Sequence, residues 1–296
     1  MKRKVIQIAD KTLVLSLPTD LVKEWGVKKG EEVDVLESGP KLIVSTAEPR
    51  MLKKGIVEAS NASERALRWL LSSLHKKGYD EIEITGPHTS VIDQLLKDLF
   101  LGFAIIYKTG NTCTIRSLAK ELDDQLQVIV RRAFLVTLSL ADQSLELIKQ
   151  KKYQELLSLT ELEKQNNQLT NFCQRILNKR GLEEPVKNNF LYVIMWNLEK
   201  IADEYKYICE HLAGRKITKE TIELYSKTNS LLRRYYELFY KFDVAELSRL
   251  ADEFKALSKE LESKLAKNED AVTISHLLHI TLKTADFSAS TYALHD

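Results

Sequence analysis

The chain has 296 residues, of which 44% are apolar and 29% are charged. This composition is typical of a folded globular protein with a sizeable core, and it excludes a disordered chain. The formal net charge of +2 excludes a protein that is basic over its whole surface, so any contact with nucleic acid must be local.

The three cysteines, Cys113, Cys173 and Cys209, are widely spaced and form no CxxC pair. Their odd number favours a reducing compartment over a disulfide framework or a zinc site. No apolar run approaches the ~18 residues of a membrane span. The start, MKRKVIQIADK, lacks the apolar segment of a secretion signal. We therefore expect a cytoplasmic protein without membrane insertion.

Glycine and proline are concentrated in the first third of the chain. Only Pro185 among the prolines, and only Gly181 and Gly214 among the glycines, come after Gly110. The chain thus changes from short elements with turns to long uninterrupted helices. We predict a multidomain α+β protein with three domains, at residues 1–47, 50–118 and 119–296.

The first domain is predicted to consist of short strands with one helix. Apolar residues alternate with polar ones, for example at Leu13, Leu15 and Leu17, which is typical of strands. Residues 20–25 predict a short helix that ends at Gly26. Because a unit of this size buries too little surface to be stable alone, we expect a second copy of the chain to complete it.

The stretch LVLSLPTDLVKEWGVKKGEEVDVLESGPKLIV has a strand that ends at Leu17-Pro18, a short helix, a turn at residues 27–31 and a strand at residues 33–35. These features resemble the AbrB/SpoVT/MazE class of swapped-hairpin DNA-binding domains. The resemblance implies an N-terminal swapped-hairpin β-barrel, formed by an interleaved homodimer that binds operator DNA.

On that resemblance, the DNA-binding residues are the basic ones of the N-terminal strand and first loop. They are Lys2, Arg3, Lys4 and Lys11. Four cations on a short edge, doubled in a dimer, suit a salt-sensitive contact with phosphates. The alternative is a frayed, solvated basic N-terminus.

Residues 50–118 predict a small α/β domain. The capping-box pattern at residues 61–64 predicts the start of a helix that stops at Gly78. A strand at residues 81–85 precedes a second helix that Thr89 caps, and Gly110-Asn111 predicts a β-hairpin. The stretch has no nucleophile–base pair and no phosphate-binding glycine loop, so we expect a spacer or a dimerisation role.

The last domain is predicted to be an all-α bundle. The breaks delimit six helices, at about 120–150, 154–179, 185–213, 217–241, 244–267 and 270–294. Arg131-Arg132 in the first helix recurs in type as Arg233-Arg234 in the fourth. Ala202-Asp203 in the third helix recurs as Ala285-Asp286 in the sixth. We predict two three-helix repeats.

The third helix has Glu199 and Asp203 four residues apart, so that both carboxylates lie on one face beside the apolar stripe. Hard cations prefer several such oxygen ligands. The alternative is a pair of solvated acids balanced by Lys200 or Lys206.

The motif NLEKIAD and the duplicated three-helix plan resemble the PhoU family, which implies a phosphate-uptake regulator that binds metal ions on acidic helix faces. On that resemblance Glu199, Asp203 and Asp286 are metal ligands, for a divalent or trivalent ion such as Mg, Mn, Zn or Fe. Leu282 stands where the second repeat would have its glutamate. The fusion of the two domain types is similar to archaeal-type phosphate uptake regulators.

His276 and His279 are three residues apart on the last helix, so they can share a face. Imidazoles would attract a transition metal rather than Mg²⁺. The alternative is a pair of packed, hydrogen-bonded histidines.

These observations predict a homodimeric transcription regulator of phosphate homeostasis that binds operator DNA and senses through its helical domain. The alternative is an adaptor without operator binding, whose helical domain contacts a phosphate transporter or a signalling kinase. A third option is an antitoxin, but the long folded bundle predicted here argues against it. The sequence has no catalytic triad, P-loop or GxGxxG motif, so we do not expect an enzyme.

Overall fold

The computed structural model describes residues 2–8, 11–38, 40–45, 52–87, 91–118, 125–182, 184–265 and 270–295. The chain divides into two compact units, Met1–Lys54 and Gly55–Asp296. The fold is mixed α/β, with small sheets in the first part of the chain and a helical C-terminal region, which confirms the predicted class at this level. Of the described helices, none is long and apolar enough to cross a membrane.

The first unit contains two hairpins and a short helix. Strand β1 (Val5–Ile8) pairs antiparallel with β2 (Thr12–Leu15), and β3 (Asp34–Ser38) pairs antiparallel with β4 (Lys41–Ser45). Each hairpin is a sheet of its own. Helix α1 (Thr19–Trp25) lies between them in the chain and ends at Gly26, as predicted. Gly26 has a φ of 65°, a left-handed conformation that favours glycine.

The hairpins leave their apolar side chains uncovered. None of the residues of this unit whose burial is described is buried. Eight apolar side chains of the strands are 39–68% exposed: Val5, Ile6, Ile8, Leu13, Leu15, Val35, Leu42 and Ile43. One copy of the unit therefore has no hydrophobic core among its described residues. The predicted swapped-hairpin barrel requires two chains and stays a prediction.

The second unit begins with an α/β layer. Its four-stranded sheet has the order β5-β6-β8-β7 and consists of β5 (Lys54–Glu58), β6 (Glu81–Thr85), β7 (Phe103–Thr109) and β8 (Thr112–Ser117). Helices α2 (Glu64–Lys76) and α3 (Ile92–Leu99) contribute leucine and isoleucine side chains to the same hydrophobic core as the sheet.

Two local predictions for this layer have different outcomes. The hairpin at Gly110 is confirmed, because Thr109 of β7 pairs with Thr112 of β8. The cap of α2 is Ser63 rather than Asn61, since the Ser63 hydroxyl accepts a hydrogen bond from the Ala66 amide. The Ala62 amide instead donates to the Ala59 carbonyl, and this turn delays the helix start. Thr89 lies outside the described residues.

The rest of the second unit is helical. Its elements are α4 (Leu126–Lys149), a 3₁₀ segment (Tyr153–Leu159), α5 (Thr160–Lys179), α6 (Lys187–Leu212), α7 (Lys219–Tyr240), α8 (Val244–Leu265) and α9 (Ala271–His295). The six predicted helices are present, and the second begins with the 3₁₀ segment instead of α-helix. They share one hydrophobic core.

The helices contact one another in two groups of three. Helices α4, α5 and α6 pack together, and so do α7, α8 and α9. The groups are joined where α6 packs against α9 and α4 packs against α7. This grouping is what two three-helix repeats would produce, and the duplication itself stays a prediction.

A buried arginine on α5 ties the helical region to the α/β layer. Arg175 is 1% exposed and lies 2.6 Å from the Asp80 carboxylate. It also donates hydrogen bonds to the carbonyls of Tyr79 at 2.6 Å and His75 at 3.1 Å. Lys179 forms a second ion pair with Asp80. The two layers therefore belong to one compact unit, and the predicted boundary at residue 118 stays a prediction.

Candidate functional site

A charged cleft of about 640 Å³ lies between the α/β layer and the helical region. Helices α2, α3, α5 and α6 line it, and all four belong to the second unit. Two predicted metal ligands, Glu199 and Asp203, are part of this lining. Two tryptophans also face the cleft, Trp69 from α2 and Trp196 from α6.

Two lysines engage the Glu199–Asp203 pair. The Lys200 Nζ lies 3.0 Å from a Glu199 carboxylate oxygen and 3.1 Å from an Asp203 carboxylate oxygen. The Lys206 Nζ lies 3.0 Å from the other Asp203 oxygen and 2.7 Å from Glu163 on α5. This continuous row of charges corresponds to the predicted alternative, in which lysines balance the two acids.

The lysines remain charged in this row. Burial would lower the pKa of Lys206, but its hydrogen bonds to Glu163 and Asp203 outweigh burial and raise it. Burial would raise the pKa of Asp203, but the charges of Lys206 and Lys200 outweigh burial and lower it. A metal ion at Glu199 and Asp203 would therefore have to displace two ammonium groups.

The third predicted ligand, Asp286, is exposed on α9. In the described part of the chain it does not join Glu199 and Asp203 in a group whose ligand atoms are close enough to share one ion. The assignment of a metal to these three residues stays a prediction.

The predicted DNA-binding residues are all exposed. Lys2, Arg3 and Lys4 directly precede β1, at the open end of the first hairpin. Lys11 lies in the turn that joins β1 to β2, at the closed end. At a rise of about 3.4 Å per residue, the two groups are about 15 Å apart along the hairpin. Three of the four cations therefore lie at one end of the hairpin and the fourth lies at the other end.

A different group of side chains could hold a metal ion. Among the described residues, Glu204, His276 and His279 form the one set of three His, Cys, Asp or Glu side chains whose ligand atoms all lie within 4.8 Å of one another. Glu204 is on α6, and both histidines are on α9. The sequence indicated the two histidines but missed Glu204, because spacing along α6 does not tell which face meets α9.

The carboxylate of Glu204 is the centre of this group. The His276 Nδ1 lies 2.7 Å from one Glu204 oxygen, and the His279 Nδ1 lies 3.4 Å from the other. The Lys283 Nζ is 3.0 Å from that second oxygen. Burial would raise the pKa of Glu204, but hydrogen bonds to His276 and Lys283 outweigh it and lower the pKa to about 2. Glu204 is therefore an anion at neutral pH.

The three cysteines are free and buried. Burial raises the pKa of the Cys113 thiol and of the Cys173 thiol, and it raises the pKa of the Cys209 thiol to about 12. All three are therefore poor nucleophiles and poor metal ligands at neutral pH.

No protein-family model, no curated protein and no solved structure matches this chain. The resemblances of residues 13–44 and of the NLEKIAD motif to known families stay predictions from the sequence.

Proposed function

We propose that this protein is a homodimeric DNA-binding regulator of transcription, whose first unit becomes complete only when two chains interleave their hairpins. The observation that carries the proposal is the uncovered apolar surface of the two hairpins, next to an exposed basic edge. Both features lie in the first unit, so the proposal does not depend on how the first unit is placed relative to the second unit.

The apolar surface supports the dimer. Eight strand side chains are 39–68% exposed, and a fully buried side chain of this type contributes about 1.5–3 kcal/mol. Isolated two-stranded hairpins are at best marginally stable, so they need further strands or a helix to cover them. A second copy supplies the same apolar faces, as a two-fold interface requires.

The basic edge supports DNA as the ligand. Lys2, Arg3, Lys4 and Lys11 are exposed, and dimerisation doubles their number to eight. Cations at both ends of a hairpin can contact separate phosphates of a duplex, and phosphate contacts position a protein on DNA and dominate its affinity. With a whole-chain net charge of only +2, this local concentration of cations is what would attract DNA.

In this proposal the helical region senses the signal, and the resemblance of its NLEKIAD motif implies that the signal is phosphate status. A change in the helical region would shift the dimer between two geometries and so alter how its basic edges fit the duplex. The family-type metal ion, whether Mg, Mn, Zn or Fe, would bind at Glu199 and Asp203 after displacing Lys200 and Lys206.

The test compares two variants with the same change in charge. The test variant carries Arg3→Glu, Lys4→Glu and Lys11→Glu. The control variant carries the same reversal at three exposed lysines of the second unit, Lys149, Lys216 and Lys219. Binding is measured by fluorescence anisotropy against DNA from upstream of the protein's own coding sequence and against duplexes selected from a random pool, at several salt concentrations.

We expect the test variant to lose about 100-fold or more in affinity at 100 mM salt, while the control variant stays near the wild type. With about eight phosphate contacts, the wild type should show a log–log salt slope of about −7, which falls to about −2 when six of them are lost. Equal losses in both variants would refute the assignment of the basic edge.

Sedimentation equilibrium of the wild type tests the dimer separately. A monomer at micromolar concentration would contradict the interleaved unit. A dimer that binds DNA no better than nonspecifically would instead select the adaptor that regulates a phosphate transporter or signalling kinase by protein contact.

A further inference from the structure

The α6–α9 interface presents a set of metal-binding side chains that is separate from the Glu199–Asp203 row. Glu204 follows Asp203 in sequence, but consecutive helical positions point about 100° apart. Glu204 therefore faces α9, while Asp203 faces the charged cleft and its lysines. On α9, His276 and His279 are one turn apart and both orient a ring nitrogen toward Glu204.

The spacing of the three ligands is close to what one small ion requires. Tetrahedral coordination with bonds of about 2.0–2.1 Å places ligand atoms about 3.3 Å apart. The His276 Nδ1 is 2.7 Å from one Glu204 oxygen and the His279 Nδ1 is 3.4 Å from the other. One ligand atom from each residue can be chosen so that all three lie within 4.8 Å of one another. An ion bound among them would replace the hydrogen bond between His276 and Glu204.

We propose that Glu204, His276 and His279 form a binding site for one first-row transition-metal ion of the zinc class. Two imidazole nitrogens and one carboxylate suit Zn²⁺, Co²⁺ or Ni²⁺, whereas Mg²⁺ and Ca²⁺ prefer sites made only of oxygen ligands. Three protein ligands leave a further coordination position free for water or an anion. His279 is 49% exposed, so that position is reachable from solvent.

Lys283 is the competitor for this site. It lies one turn beyond His279 on α9, and its ammonium group is 3.0 Å from Glu204. An arriving cation has to replace this contact, which lowers metal affinity. Because the Lys283 side chain is partly exposed, it can move into solvent when the ion binds. Removing its charge should therefore tighten metal binding, an effect that a purely structural ion pair would not produce.

The proposal is independent of DNA binding, since all of its residues lie on α6 and α9. When filled, the site would join the last helix to the third helix of the bundle by coordinate bonds. It would therefore link the two groups of three helices at the place where α6 packs against α9.

The experiment titrates the full-length protein with Co²⁺ and records visible absorption, which reports ligand geometry, and then displaces Co²⁺ with Zn²⁺. We expect one Co²⁺ per chain with a tetrahedral spectrum, and Zn²⁺ tighter than Co²⁺. Mg²⁺ at millimolar concentration should not displace either ion.

Variants locate the site. Each of Glu204→Gln, His276→Ala and His279→Ala should weaken Zn²⁺ binding about 100-fold or more, while Lys283→Met should strengthen it about 10-fold. Two controls should bind like the wild type. They are Glu199→Gln, in the neighbouring charged row, and His295→Ala, at the other end of α9, where the imidazole contacts the Phe239 carbonyl.

Several outcomes would overturn the proposal. They are no Zn²⁺ binding at micromolar concentration, Zn²⁺ binding that Glu199→Gln removes and His276→Ala does not, or preference for Mg²⁺. If a ligand variant fails to fold, the wild-type Co²⁺ spectrum and the Lys283→Met titration still test the proposed metal site. A spectrum without nitrogen ligation, or unchanged affinity in Lys283→Met, counts against the site.

Discussion

Similar apolar side chains are buried in the second unit of this protein and exposed in the first. In the second unit, apolar residues of the helices and of the sheet fill two hydrophobic cores. In the first unit, alternating apolar residues form regular hairpins, yet Val35 and its neighbours stay exposed. Local patterning forms the strands in both cases. Whether the strands also form a core depends on how many elements one chain supplies to cover them.

The largest expected effect comes from making the same valine-to-aspartate substitution once in each unit and comparing the two variants. Val35 on β3 is 59% exposed and Val128 on α4 is 64% exposed. If a second chain covers Val35, then Val35→Asp places an unpaired carboxylate in an apolar interface, which costs several kcal/mol. We expect the dimer dissociation constant to rise about 100-fold or more, measured by sedimentation equilibrium.

Val128→Asp is the matched control and should leave the dimer unchanged. Equal behaviour of the two variants would mean that the exposed valine of the first unit is an ordinary surface residue, and the contrast between the units would then disappear.

The second prediction concerns the buried ion pair between Arg175 of α5 and Asp80 of the α/β layer. Arg175→Met keeps an apolar stem but leaves Asp80 with Lys179 as its remaining described ion-pair partner. Loss of one member of a buried pair costs about 3–5 kcal/mol, and Lys179 keeps the cost near the lower end, at about 3 kcal/mol. Urea unfolding followed by circular dichroism measures the loss.

Arg68→Met serves as the comparison, because Arg68 pairs with Asp98 at 3.2 Å but is 40% exposed. We expect its cost to stay below about 1 kcal/mol. A loss in Arg175→Met as small as that in Arg68→Met would show that the α/β layer is not anchored to α5 through this arginine.

The smallest effect is a pH dependence at the α7–α8 contact. The hydrogen bond from Arg234 lowers the pKa of Glu246. Because the folded-state pKa lies below the unfolded value of about 4.3, this contribution is present above that pH and is lost as the pH falls below it. The pair is solvent-screened, so we expect less than about 1 kcal/mol.

Accordingly, Glu246→Gln should be slightly less stable than the wild type at pH 7, and the difference should shrink as the pH falls below about 4.3. Thermal unfolding at pH 7 and over a series of lower pH values measures it. Glu223→Gln, at an exposed position of α7, is the control for the loss of one surface carboxylate. A difference for Glu246→Gln that grows as the pH falls would contradict the direction of the shift.

Local chemistry made much of the fold predictable. Helix positions followed from apolar stripes and from glycine and proline breaks, so the six long helices agree with the sequence to within a few residues in the described part of the chain. The turns at Gly26 and Gly110 were predictable for the same reason, because neighbouring residues alone specify each turn. The start of α2 differed, because a turn at Ala59–Ala62 displaces the cap to Ser63.

The candidate metal site was only half predictable. The spacing of His276 and His279 placed them on one face of a helix, and that is a local property. Their partner Glu204 comes from a helix more than 70 residues away in sequence, and its neighbour Asp203 was the residue that the motif favoured. Which of these two adjacent acids meets the histidines depends on how α6 is rotated against α9.

By itself, the sequence determined where the helices and hairpins form, because periodicity, caps and glycines act over a few residues. Tertiary structure alone decided which distant charges meet. It placed Glu163 of α5 on Lys206, Glu204 beside two histidines, and Arg175 on Asp80. The physical reason is that these contacts depend on the rotation and packing of elements far apart in the chain, which no local pattern encodes.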